Sequence, residues 1–187
     1  MALDSNAVLV VGAGNFFTAP YNASTPTALP EDLTAIGSPW ETVGHTSLED
    51  IFSPTSEGGE PSTLGTLQNK SLRTTYSPRT ETFNITIQQF DVASLKLYYG
   101  ANATVGAGGE LQVPDQPTPT IASFLAVFID GENHFGFYVP KAEILRADDM
   151  AISDTESLVG LPLGVKPVIH GDNKWAYAVT PLGSVTP

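Results

Sequence analysis

The residues best placed to do chemistry lie near the start of the chain. Gly12-Ala13-Gly14 follows the apolar run Val8–Val11, as the glycines of a dinucleotide-binding turn follow a buried strand. Such a turn works because glycine lets the backbone approach a pyrophosphate, and the N–H groups of the next helix then face its charge. Here the pattern breaks off. Phe17 stands where the third glycine belongs, and Pro20, Pro26 and Pro30 follow. Proline lacks the amide proton and disfavours helical backbone in the residue before it, so no regular helix can start there. The acidic residue that should come roughly 20 positions later has only Glu31 and Asp32 as candidates, inside a proline-rich stretch. The expectation is a strand followed by a bend, with no cofactor.

Other candidates are equally thin. The three histidines, His45, His134 and His170, sit in or beside predicted turns or strand ends. None has the H-x-x-x-H spacing that places two imidazoles on one metal, and surface positions are expected. Asp148, Asp149, Asp154 and Glu156 cluster without the pattern of a calcium loop, so a solvated acidic face is expected. The Gly-x-Ser-x-Gly elbow of a serine hydrolase is missing, and Gly37-Ser38-Pro39 does not replace it. Asp130 and Glu132 are explained by turn propensity before acid–base pairing. With no cysteine, disulfides and thiolate metal sites are excluded. The residues point to no catalytic group, no metal and no enzyme.

Elements able to hold a site must come from 187 residues, 41% of them hydrophobic, with 17 Gly and 15 Pro. That suits one core built of many short strands and turns. No apolar window is long enough to span a membrane. A signal peptide is not expected, because the N-terminus carries Asp4, no Lys or Arg, and only a short apolar run. The four N-x-S/T sequons, beginning at Asn22, Asn69, Asn84 and Asn102, are attributed to the abundance of Asn and Thr. Net charge is −12, from 20 acids and eight bases, and the first base is Lys70. Residues 1–69 hold eight acids and no base, −8, and the remainder holds 12 acids and eight bases, −4. Such a surface repels nucleic-acid phosphates and anionic membranes alike.

Along the chain, Val8–Val11 reads as a first strand and the Thr/Pro/Ala tract to Pro39 as irregular. Trp40–Ser47 regains strand character, which Leu48–Phe52 extends. Ser53–Leu64 reads as loop, and strand returns from Leu67. In Thr82–Gln88, Phe83, Ile85 and Ile87 alternate with polar residues, so one face is buried. Asp91–Gly100 reads as a short helix. Asp91 caps it, Phe90 and Leu95 stand at hydrophobic-staple positions, and Gly100 ends it. Ala101–Thr120 reads as a surface loop. Ser123–Ile129 and Phe135–Val139 form a hairpin around the turn at Asp130–Asn133. Further strands are expected over Lys141–Ile152, Leu158–Ile169 and Trp175–Thr180, with a turn at His170–Asn173. Eight to ten strands and one helix suggest a β-sandwich or barrel with a flanking helix.

Taken together, the segments have the order and texture of a known family. The carrying stretches are "GAGNFFTAPYNASTPTALPEDL", "WETVGHTSLEDI", "TETFNITIQQFDVASLKLYYG", "FLAVFIDGENHFGFYVPKAEI" and a terminal Trp-Ala-Tyr strand. In this layout, over nearly its whole length, the chain resembles the major tail (tail tube) proteins of long-tailed bacteriophages, especially those infecting actinobacteria. The resemblance implies two packed antiparallel sheets with one short flanking helix, about residues 91–99. It implies a single tail tube domain, 1–187, with an N-terminal arm at about 13–39 and a long stacking loop at about 53–79. The immunoglobulin-like surface domain of some members is not expected, since the chain ends at Pro187, soon after the last strand.

The same resemblance implies a structural virion protein, made in the host cytoplasm. Its hexameric rings stack into a tube that conducts DNA during ejection. Partners would be further copies of itself and other tail proteins such as the tape measure, tail terminator and distal tail proteins. DNA would be met only in transit, and membrane not at all. Open stacking needs two different surfaces of one subunit to match. The segment Glu49–Glu60 holds four acids, Glu49, Asp50, Glu57 and Glu60, the segment Lys70–Arg79 holds three bases, Lys70, Arg73 and Arg79, and the two flank one long loop. These seven are the candidate contacts between rings. A carbohydrate- or receptor-binding β-sandwich is the alternative, and it would expose an aromatic cluster in a concave site.

Overall fold

A computed structural model of the protein describes residues 3, 7–21, 29–30, 32–34, 36–153, 155–171 and 174–184. Its strands in chain order are β1 (Ala13–Pro20), β2 (Glu41–Thr42), β3 (Ser53–Gly58), β4 (Pro61–Leu64), β5 (Arg73–Tyr76) and β6 (Arg79–Ile87). The helix α1 (Val92–Tyr99) follows. After it come β7 (Thr104–Val105), β8 (Leu111–Gln112), β9 (Thr120–Asp130), β10 (Asn133–Arg146), β11 (Leu161–Pro167) and β12 (Ala178–Ser184). The protein is mostly β, antiparallel throughout, with a single short helix among the described residues and no closed barrel.

The main sheet runs β2-β1-β9-β10-β11-β6-β3, with β12 also on β10; β4-β5 and β7-β8 are separate two-stranded pairs. The two layers implied by the sequence are halves of this one sheet, curled upon itself. Phe52 shows the curl. Its ring lies 6.0 Å from Phe16 of β1, 5.5 Å from Phe128 of β9 and 5.2 Å from Phe83 of β6. Strands that far apart in the sheet can share one ring only if the sheet wraps around it. Their inward residues, with Ile85, Ile87, Leu161, Leu163 and Val165, make the main core.

A second, smaller core explains why β9 reads as an unbroken apolar run. Phe124, Ala126 and Phe128 face the main core, whereas Leu125 and Val127 face outward. Phe16 and Phe17 divide in the same way. The outer face is covered by Trp40 and the partly buried Leu29, Leu33 and Ile36. Asn15 fastens the cover: its side-chain amide donates to the Leu33 carbonyl at 2.8 Å and its Oδ1 accepts from Thr42 Oγ1 at 3.2 Å. A strand buried on both faces needs no alternation.

Several boundaries differ from the sequence reading, each for a physical reason. The first strand is Ala13–Pro20, not Val8–Val11, because Phe16 and Phe17 offer far more area to bury than the valines. Val8, Val10 and Val11 stay exposed. The bend falls at Gly12, before this strand and not after one. Gly14 lies inside β1 opposite Phe128, and a Cβ there would come within 2.9 Å of that ring, so glycine makes room for the aromatic core. Trp40–Ser47 contributes only the two residues of β2 and a bridge from Thr46 to Ile87, and Leu48–Phe52 is not strand. Lys141–Ile152 is not a separate strand; β10 runs on to Arg146 through a bulge between Val139 and Ala142. The loop at 101–120 contains the small β7–β8 hairpin. The turns at Asp130–Asn133 and the helix stand as expected, with Asp91 Oδ1 accepting from the Ser94 amide at 2.8 Å. Gly100 has φ 108° with extended ψ, a positive-φ stop that is not left-handed helical. The helix packs on β10 and β11, and its buried Tyr98 hydroxyl donates to the Asp148 carbonyl and accepts from the Met150 amide.

Candidate assembly interface

The stretch 53–79 is not a loop but a two-stranded ribbon. β3 pairs with β6 from Ser53–Asn84 to Gly58–Arg79, and β4 continues with β5 from Pro61–Tyr76 to Leu64–Arg73. The joint between the two parts is held by Ser77 N donating to Glu60 O at 3.1 Å and Glu60 N to Ser77 Oγ at 3.0 Å. Gly58 is obligatory at this joint. Its φ is +83°, and a Cβ would lie 2.2 Å from the Pro78 carbonyl oxygen. The Thr- and Ser-rich sequence reads as loop by its polarity. It forms strand because threonine favours extended backbone and because β6, itself fixed in the core, offers an edge.

From Ser53 to Thr80 every residue but Gly59 is exposed, on both faces of the ribbon. It carries Leu64, Leu67, Leu72 and Tyr76 into solvent, Leu67 at 92% exposure and Tyr76 at 72%. A lone two-stranded hairpin is marginal in water, and a ribbon with apolar side chains but no core is a surface waiting for a partner. From the Gly58–Arg79 pair to the Leu64–Arg73 pair the ribbon extends roughly 20 Å.

The candidate contact residues separate into two places. Glu57 and Glu60 lie on the ribbon with Lys70, Arg73 and Arg79, all seven candidates being exposed. Glu49 and Asp50 lie in the connection from Thr46, which bridges to Ile87, to Ser53. Arg79 Nε is 3.9 Å from Glu81 Oε1, on the same face of β6. Among the described residues Lys70 and Arg73 enter no ion pair within the subunit. Residues 61–80 hold three bases and no acid.

At the other end of β6 lies a cleft of about 540 Å³. One wall is Val11–Asn15; the other includes Thr42, Gly44–Leu48, Ile51 and Gln89. No local pattern points to it, because its walls are joined by contacts between distant residues, Val43 N donating to Phe16 O at 3.0 Å and Thr42 Oγ1 to Asn15 Oδ1 at 3.2 Å. Glu41, Glu49 and Asp50 are chain neighbours of the lining residues Thr42, Leu48 and Ile51, and Asp32 accepts from the amide and hydroxyl of Thr34, also in the lining. Asp91 bonds to Gln89 of the wall. Two of these carboxyls are held below the usual carboxylate range, Asp32 by the Thr34 hydroxyl and then its amide, Asp91 by the Ser94 amide and then the Gln89 side chain.

The groups with chemical potential are dispersed. His45 lines the cleft and is exposed, and among the described residues no hydrogen bond joins its ring to Ser47 or to a carboxylate. His170 stacks edge-on with Tyr21, 5.8 Å between centroids. His134 overturns the expectation of a surface position. It is 5% exposed in β10 and neither ring nitrogen has a partner. It points to the outer face, which the cover on β9 and β10 buries. Asp148 Oδ1 accepts from the Asp149 amide, and Asp149 lies 3.8 Å from Arg146; Asp154 falls outside the described residues. Asn84 and Asn102 use their side-chain amides to tie neighbouring segments, to Ser53 O and Gln116 O respectively. No helix among the described residues is long and apolar enough to cross a membrane.

Comparison with known proteins places the chain in a family. The family model described as "Phage tail tube protein" matches residues 1–180. The chain is similar to major tail protein Gp23 of Mycobacterium phage D29, 32% identical over 184 residues, covering 92% of this chain and 90% of that protein. It is similar to major tail protein Gp23 of Mycobacterium phage L5 at 32% over 183 residues, with the same coverage.

Proposed function

The chain belongs to the phage tail tube protein family, and on that premise we propose that it is a structural protein of the virion tail whose copies close into hexameric rings and stack into a tube. DNA passes through the bore during ejection, and the whole chain acts as one tail tube domain. The ribbon over residues 53–79 is the stacking element. One observation carries this reading: twenty-seven of the residues from Ser53 to Thr80 are exposed, with four large apolar side chains among them and no core beneath. Rings of this kind would also meet the tape measure, terminator and distal tail proteins at their ends. The role calls for surfaces and no catalytic group.

Charge supports the passage of DNA. Each subunit carries −12, and a ring multiplies this around a bore. A basic lining would release counterions from the duplex and hold it. An acidic lining repels it over about 8–10 Å at physiological salt, which favours sliding over sticking.

The test is excision of residues 61–76, with Glu60 and Ser77 joined through an Asn-Gly turn, the chemistry that suits antiparallel neighbours. The parent protein at high concentration should form rings or tubes by electron microscopy and sedimentation. The excised protein should stay folded and form no tubes. Full-length tubes from the excised protein would remove the ribbon from stacking. A parent that remains monomeric with the other tail proteins present would overturn the tube itself.

A further inference from the structure

The ribbon tip and the cleft lie at opposite ends of one strand. The ribbon leaves the body at Arg79, the first residue of β6, and the cleft is built on Ile87–Gln89, just beyond its last. A protrusion and a recess at the two ends of a common axis are the two unlike surfaces that head-to-tail repetition requires, and repetition along that axis does not close. We infer that the cleft beside Gly14 is the seat for the ribbon tip of a second copy of this chain. The inference rests on the tail tube reading and adds the receiving surface to it.

Chemistry matches as well as position. The outer part of the ribbon, residues 61–76, brings Lys70 and Arg73 with no acid, and Leu64, Leu67, Leu72 and Tyr76 in solvent. The cleft offers Leu48, 90% exposed, with Val11 and Ile51 for apolar contact. Glu41, Glu49 and Asp50 are exposed chain neighbours of its lining residues Thr42, Leu48 and Ile51, Asp32 bonds to its Thr34, and no Lys or Arg occurs in the chain before Lys70. Opposite potentials of this kind set register and speed encounter, while apolar tips filling a recess supply burial. Within its own subunit the ribbon joins β6 at the end opposite the cleft, so its tip is offered to another copy. Nineteen steps along the chain lead from Lys70 at the tip to Gln89, and at the rise of a strand they limit the axial repeat of the assembly to roughly 60 Å.

The absence of cysteine makes a direct test available. Leu48→Cys and Leu67→Cys are combined in one chain, assembled under reducing conditions, inspected for tubes and then oxidised. Tubes of the double variant should yield a ladder of disulfide-linked dimers, trimers and longer chains, and neither single variant should. Separately, Lys70→Glu with Arg73→Glu should lower tube yield by about tenfold or more, and adding Glu49→Lys with Asp50→Lys should restore it. Tubes without the ladder, tip-to-tip linkage in Leu67→Cys alone, no restoration by the reversed charges, or an axial repeat well beyond the limit above would each overturn the cleft while leaving the tube reading intact. No tubes from the parent chain, with other tail proteins present, would overturn both.

Discussion

β9 and the ribbon of β3, β4 and β5 are all extended chain, yet they obey opposite rules. β9 is buried on both faces, with seven consecutive residues from Ala122 to Phe128 out of solvent. The ribbon is exposed on both faces. β9 keeps its place through side chains, packed between the main core and the cover from Leu29 to Trp40. The ribbon keeps its shape through backbone pairing, the Gly58 joint and threonine contacts such as Thr63 Oγ1 to Thr74 Oγ1 at 3.3 Å. One region supplies the stability of the subunit. The other spends none of it and holds apolar side chains ready for a partner.

That contrast can be broken by substitution, and the largest effect belongs to the core. Phe83→Ala removes a ring packed against Phe52, Phe137 and Tyr177 and should cost about 3–5 kcal/mol in urea unfolding; a loss below 1 kcal/mol would mean that the curl of the sheet is held elsewhere. Next comes the helix. Asp91→Ala removes the cap and should cost about 1 kcal/mol. Because the folded carboxyl titrates below its ordinary range, the cap's contribution is present above the unfolded pKa and is lost as pH falls through the folded one. The difference between parent and variant should therefore shrink on acidification, and a gap that is constant to low pH would count against the capping account.

Smaller and opposite in sign is His134→Leu. Relieving a buried ring with no hydrogen-bond partner should stabilise by about 1 kcal/mol, read as a higher melting temperature. Destabilisation there would reveal a polar role for the ring. Least of all should follow from Tyr76→Ser on the ribbon, within about 0.5 kcal/mol for the isolated subunit. A large loss would make the ribbon part of the stable body and dissolve the comparison.

The hairpin of β9 and β10 was legible because a continuous apolar run, a turn with Gly131 at φ 59° and a second run state their pairing locally. So was β6, whose alternation records one buried face, and α1, whose cap and stop are both written in sequence. The ribbon was not, since its strands bury nothing and so show no hydrophobic period. β1 was displaced by one short segment because three valines and a leucine look more buried than Asn-Phe-Phe-Thr until the partners of the two phenylalanines are known. His134 looked exposed because its neighbours Asn133 and Glu132 belong to a turn, whereas its burial comes from the cover packed on the outer face of the sheet.

The sequence by itself determined the β class, the single helix and its ends, the acidic surface, the lack of thiol chemistry and the likeness to the tail tube family. These are properties of composition, local period and segment order, which do not depend on which strand lies beside which. The tertiary structure alone decided that one sheet curls around Phe52 to make both layers, that Gly14 makes room for the Phe128 ring, and that Glu57, Glu60, Lys70, Arg73 and Arg79 share the ribbon while Glu49 and Asp50 stand in the connection before it. Those depend on contacts between residues far apart in the chain, and no local pattern encodes them.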